Sequence, residues 1–267
     1  IDKRVIEQVL AEQYEELVAL QKSDLCSRKE ESEVNLESHL AQVVIGVRRS
    51  GKSTLCYNAL KSKNVTFAYA NFDDERFQHM ETNDLNTVLE VLYKLYGDFK
   101  YLFLDEIQNI DGWHLFVNRL LRQRLHIVVT GSNAKLLSGE LATHLTGRNN
   151  QIELYPFSFR EYCSIRQIDT QSQSTKSKAF RHAALEEYLM QGGFPELLRL
   201  STPYTYTLSL FKAIIHKDIS KRYKVKHEKT LADIANGMLD LFCQEVSYAQ
   251  IQKRFDLGSL HTAKNYI

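Results

Sequence analysis

Gly46-Val-Arg-Arg-Ser-Gly51-Lys52-Ser53 satisfies every fixed position of the pattern G-x-x-x-x-G-K-[ST]. It stands between a short apolar run, 41–45, and a helical start at Lys52-Ser-Thr-Leu. A buried strand, a glycine loop and a helix in that order have a chemical use. Glycines let the backbone close around a phosphate, and the loop N–H groups and the helix N-terminus then face its charge. Lys52 is placed to reach the β- and γ-phosphates, and the Ser53 hydroxyl to ligate Mg²⁺. Gly46, Val47, Arg48, Arg49, Ser50, Gly51, Lys52, Ser53 and Thr54 are therefore the expected nucleotide-binding segment.

A second motif follows at Tyr101-Leu-Phe-Leu-Asp105-Glu106. An apolar strand here delivers two carboxylates to its C-terminal edge, where α/β sheets bind ligands. Asp105 is expected to hold Mg²⁺ through water, and Glu106 to orient and deprotonate the attacking water. An acidic pair after a strand is common on its own; paired with the phosphate loop it points to ATP hydrolysis rather than to a GTPase or a small-molecule kinase. The apolar run 125–129 leads into Thr130-Gly-Ser-Asn133. If that strand is central, a polar side chain emerges beside the γ-phosphate. Asn133 is the first choice, with Ser132 and Thr130 behind it; a helix N-cap explains Asn133 equally well. Arg148 follows Gly147 before the next strand, where it is expected to meet transition-state charge in its own or a neighbouring subunit. A surface arginine near a helix end is the alternative.

Further apolar runs at 65–70 and 151–155 alternate with helical stripes. One stripe is Leu85, Val88, Leu89, Leu92 and Leu95, closed by Gly97; another is Trp113, Phe116, Val117, Leu120 and Leu121. The alternation predicts an α/β fold in three layers around a parallel sheet. Ahead of it, residues 1–20 have amphipathic helical spacing and 23–38 are polar. Beyond 155 the pattern turns helical: a capping box at Ser158-Phe-Arg-Glu161, a polar linker at 167–178, then helices at 179–190, 204–223 and 230–242 around a Gly192-Gly193-Phe194-Pro195 turn.

The chain of 267 residues is 43% hydrophobic and 25% charged with net charge +1, so any nucleic-acid surface has to be local. No run approaches the roughly 18 apolar residues of a membrane span. The four scattered cysteines, Cys26, Cys56, Cys163 and Cys243, form no CxxC pair, which fits reduced packing residues in a cytoplasmic protein.

Taken together, 46–55, 101–113, 128–138, 145–162 and 188–198 resemble the AAA+ ATPases. The likeness is greatest to a prokaryotic family whose ATPase core precedes a winged helix and a nuclease-like C-terminal domain of unknown function, the last absent here. The resemblance implies a P-loop core with a five-stranded sheet in the order 5-1-4-3-2, the strand at 125–129 lying between the phosphate-loop strand and the Asp105 strand. It implies sensor and arginine motifs at 130–133 and Gly147-Arg148, and Arg48 matches the family's arginine within the loop. No lid arginine equivalent to a second sensor is evident, Arg199 after Gly192-Gly193-Phe194-Pro195-Glu196 being the candidate. Residues 247–255 and 260–267 look like the first helices of a winged helix.

The expected organisation is an N-terminal helical segment (1–40), the P-loop ATPase core (41–165), a linker (166–178), a helical lid (179–229) and the start of a winged helix (230–267). The expected function is hydrolysis of ATP with Mg²⁺ to drive a conformational change, coupled to double-stranded DNA or a protein partner. A slow nucleotide-dependent switch is the rival reading, and homo-oligomerisation is left open. Lys217, Lys221, Arg222, Lys224, Lys226 and Lys229 are the expected contacts to DNA phosphates.

Overall fold

A computed structural model describes residues 1–20, 26–132, 145, 147–200, 203–220 and 223–267. The chain divides into two compact units, Ile1–Leu200 and Ser201–Ile267, a division that falls inside the segment 179–229 expected as a lid.

The first unit is an α/β domain around five parallel strands: β1 (Ala41–Gly46), β2 (Phe67–Asn71), β3 (Tyr101–Asp105), β4 (His126–Ser132) and β5 (Asn149–Glu153). Their order is β2-β3-β4-β1-β5, which from the opposite edge is 5-1-4-3-2. Alternation along each central strand fills both faces. Val43, Ile45, Leu102, Leu104, Ile127 and Val129 pack with α3 (Leu85–Tyr96) and α4 (Trp113–Arg122). Val44, Phe103 and Val128 turn to the other face and meet Leu55, Cys56 and Leu60 of α2 (Lys52–Ser62). Side-chain period 2 thus builds two cores from one apolar run, and each buried Val, Leu or Ile contributes roughly 1.5–3 kcal/mol.

Helix α1 (Lys3–Leu20) packs against α3 and β2. The Gln13 amide donates to the Asn71 carbonyl and accepts from the Asn71 N–H, both at 2.9 Å, so it covers the open edge of β2. Residues Lys29–Glu33 form a 3₁₀ turn flanked by buried Arg28, Val34 and Leu36. The described part of the polar stretch, 26–38, is therefore anchored to the core.

Two strands sit off their expected positions. β2 starts at Phe67 rather than 65. β5 spans Asn149–Glu153 rather than 151–155, because pairing with β1 sets its register: Ala41 lies opposite Asn149 and Ile45 opposite Glu153. The Ser158–Glu161 capping box opens α5 (Phe159–Ile165) as read. Ser174 caps α6 (Thr175–Gln191), so this helix begins inside the segment expected as linker.

In the second unit, α7 (Pro203–Ala213) passes into a π-helical turn, Ile214–Ser220, so the single helix expected over 204–223 is broken. Helices α8 (Glu228–Asp240), α9 (Tyr248–Arg254) and α10 (Leu260–Tyr266) share a small core of Ile234, Ile251, Leu257 and Ala263. Gly237 is required there, since a Cβ at that position would stand 2.3 Å from the Phe255 ring.

Candidate nucleotide-binding site

The loop after β1 turns on backbone conformations most residues avoid. Arg49 has φ +68°, Gly51 has φ +97°, and α2 starts immediately after at Lys52. A non-glycine residue held at positive φ carries strain that its surroundings must offset. Gly46 has another use than close approach to phosphate: a Cβ there would lie 2.1 Å from the Leu154 carbonyl oxygen of the strand-β5 exit. The loop fits only because β1 ends without a side chain beside β5.

Lys52 is buried at the mouth of this loop. Its Nζ donates to the Val47 carbonyl at 3.3 Å and lies 3.4 Å from Glu106 Oε1. Ser53 Oγ donates to Asp105 Oδ1 at 3.0 Å, so the phosphate-loop helix and the end of β3 meet where the sequence requires. Tyr69 of β2 donates to Asp105 Oδ2 at 3.3 Å, and Thr130 of β4 donates to Oδ1. Thr130 Oγ1 also accepts the Glu106 N–H at 3.1 Å. Burial pushes the Asp105 carboxyl above its ordinary range, and the neighbouring Glu106 charge adds to this; the Thr130 and Ser53 hydroxyls and Lys52 pull against it. A buried carboxylate in that condition, beside a hydroxyl oxygen, is a setting that a divalent cation stabilises. Ser53 and Asp105 fit Mg²⁺.

Glu106 stands at φ +54°, a left-handed position that turns its side chain off the strand. Gln108 donates to its Oε2 and Lys52 faces Oε1. The cleft these residues line, about 420 Å³, also takes in Arg48, Arg49, Thr54, Asn71, Asp73, Pro195 and Glu196. Arg48 reaches Asp73 at 3.3 Å, which braces the loop against the end of β2. Pro195 and Glu196 come from a different part of the chain. They are delivered by Gly193, whose carbonyl accepts the Phe157 N–H at 2.7 Å, an approach so close that a Cβ on Gly193 would lie 2.1 Å from the Phe157 oxygen.

A second cavity, about 720 Å³, adjoins the cleft and shares Gly51, Thr54, Pro195 and Glu196 with it. Cys26, Arg28, Phe157, Ile165 and Arg199 line the rest, a space large enough for a base and ribose beyond the phosphates. Arg199 therefore lines this cavity and not the cleft.

One sequence candidate is not brought to the loop. Arg148 precedes β5, and its carbonyl accepts the Ala41 N–H at 2.9 Å. It therefore sits at the start of β1, with the phosphate loop at the other end, about 16 Å of strand away. Its guanidinium donates to Asn118 at 3.4 Å in a separate groove with Arg119 and Arg122, away from its own loop. Asn133 lies outside the described residues. Thr130 is committed to bracing Asp105. Sequence reasoning missed Tyr69 and Arg28, which act through contacts that the fold makes, and Gln108, which stands within 101–113 and meets Glu106 two residues before it.

Comparison with known proteins adds the following. Residues 38–163 match a family model described as an AAA domain, which supports an AAA+-like P-loop ATPase core. The chain is 32% identical over 257 residues to the uncharacterized protein MJ1544 of Methanocaldococcus jannaschii, covering 94% of this chain and 57% of that protein. It is 31% identical over 243 residues to an uncharacterized protein of Haemophilus influenzae, covering 86% of this chain and 59% of that protein. The chain thus spans under two thirds of the length of either. Among solved structures, AMPPCP-bound DnaA from Aquifex aeolicus aligns at TM-score 0.38 and 16% identity, over 97% of this chain and 87% of that one.

Proposed function

We propose that the chain binds ATP with Mg²⁺ and hydrolyses it to ADP and phosphate. One observation carries the reading: Lys52, Ser53, Asp105 and Glu106, drawn from two separated motifs, converge on a single cleft at the C-terminal edge of the sheet. Lys52 and the N-terminus of α2 bind the phosphate chain by charge and by N–H donation. Ser53, and Asp105 through water, would hold Mg²⁺, which would neutralise phosphate charge. Glu106 takes a proton from the attacking water, and its left-handed backbone position directs the carboxylate into the cleft. The adjoining cavity receives the nucleoside.

Arg148 serves a nucleotide held by a second copy of the chain, since its own is at the far end of β1. The helices of the second unit are read as the beginning of a winged helix, with exposed Lys217, Lys224, Lys226 and Lys229 toward DNA phosphates or an acidic protein partner. A slow switch is the second reading. It is favoured by the contacts of Glu106, whose two oxygens are engaged by Gln108 and Lys52.

Steady-state hydrolysis of Mg·ATP tests the proposal. Glu106→Gln should slow turnover on the order of 10²-fold or more while ATP remains bound, because the base acts on water and not on the ground-state nucleotide. Parent-like turnover by the variant places the base elsewhere. Turnover in the parent slower than about one per minute favours the switch, against the 1–10³ s⁻¹ common among enzymes.

A further inference from the structure

The phosphate loop has to hold Arg49 and Gly51 in left-handed conformations on either side of Ser50. Within the loop, the Ser50 N–H is tied to the Val47 carbonyl at 3.2 Å. The hold on its carbonyl comes from outside. Arg28, on the segment before the 3₁₀ turn, donates from Nη1 to the Ser50 oxygen at 3.4 Å in a fully buried contact. The same guanidinium donates from Nη2 to the Tyr155 carbonyl at 3.0 Å and from Nε to Glu161 Oε1 at 2.5 Å, and it stacks over Phe157 at 4.7 Å. Its side chain is only 5% exposed.

We propose that Arg28 is a positioning residue for the phosphate loop: it fixes the Ser50 peptide between the two left-handed residues by bolting it to the β5 exit and to α5. The inference rests on the ATPase reading and goes beyond it, because Arg28 lies outside residues 38–163 that match the AAA model. Three features exclude a surface accident. A buried guanidinium is costly unless its donors are matched, and here Glu161 and two carbonyls match them. Glu161 is itself immobilised as the acid of the Ser158 capping box, so the anchor is rigid. The planar fork spreads its donors over three nitrogens, so one side chain serves three separated partners, whereas a lysine's donors share a single nitrogen. Arg28 does not line the phosphate cleft; it acts through the Ser50 peptide, which sets where the loop N–H groups point.

The test separates the loop from the nucleoside cavity that Arg28 also lines. Binding of Mg·ATP and of Mg·tripolyphosphate, which occupies only the phosphate cleft, is measured for the parent, Arg28→Lys and Arg28→Gln, with melting temperature recorded in parallel. Arg28→Lys keeps a charge facing Glu161 and so guards against loss of the fold. The expected result is that Arg28→Lys weakens both ligands by the same factor, on the order of tenfold, and that Arg28→Gln weakens both further. A loss confined to ATP would make Arg28 a cavity wall and overturn the proposal. A lowered melting temperature with both affinities intact would make it purely structural and overturn it as well. A parent that binds neither ligand removes the ATPase reading itself, and this inference with it.

Discussion

Three hydroxyl groups, on Ser53, Tyr69 and Thr130, turn toward the Asp105 carboxylate, and they come from α2, β2 and β4. The motif names the acid; the fold supplies the shell that orients it. The Arg28–Glu161 pair has the same character, and its charge has a measurable consequence. Burial raises the Glu161 carboxyl, but hydrogen bonds from Ser158 and the Arg28 guanidinium outweigh it, and the group ends below its ordinary value of 4.5. A carboxylate lowered in the folded state contributes stability that is present above the unfolded value and lost as pH falls through the folded one. Glu161→Gln should therefore be less stable than the parent near pH 7, with the gap closing as pH falls below about 4.5. Denaturant unfolding at a series of pH values measures this, and a gap that is constant with pH contradicts it.

At the scale of elements, legibility in the sequence followed the range of the forces involved. The phosphate loop, the Asp105 strand and the Ser158 capping box are written in consecutive residues, and they stand where the spacing puts them. Strand β5 was misplaced because only Ile152 of its five residues is buried; an edge strand paired on one side gives a weak apolar signal. Arg28 was illegible for the opposite reason: its partners lie 22, 127 and 133 residues away. The Gly193 turn was readable as a turn, but its role as a backbone clasp on Phe157 was not. That clasp carries Pro195 and Glu196 to the cleft. Gly193→Ala should force the two backbones apart, lower stability by on the order of 1–3 kcal/mol, and weaken Mg·ATP several-fold. Thermal melting and ligand titration of the variant check both parts, and unchanged values in both would show that the clasp carries no weight.

At the scale of the whole molecule, the sheet separates two ends with different chemistry. The phosphate cleft lies at the C-terminal edge of the strands and the groove with Arg119, Arg122 and Arg148 at the N-terminal end of β1 and β5. The role proposed for Arg148 is therefore on a neighbour's nucleotide. Mixing Lys52→Ala with Arg148→Ala protein should then recover part of the ATPase activity that each has lost, because one copy supplies an intact cleft and the other the arginine. No recovery at any mixing ratio, with both variants folded, confines the arginine to a structural role. Both proposed readings of turnover, and the role proposed for Arg28, presuppose that the buried ammonium of Lys52 neutralises phosphate charge. Calorimetric titration of Mg·ATP into the parent and into folded Lys52→Ala measures it directly. The account predicts saturable binding to the parent and a loss of two or more decades in affinity in the variant, on the order of 3 kcal/mol. Equal affinity in the two proteins would contradict it.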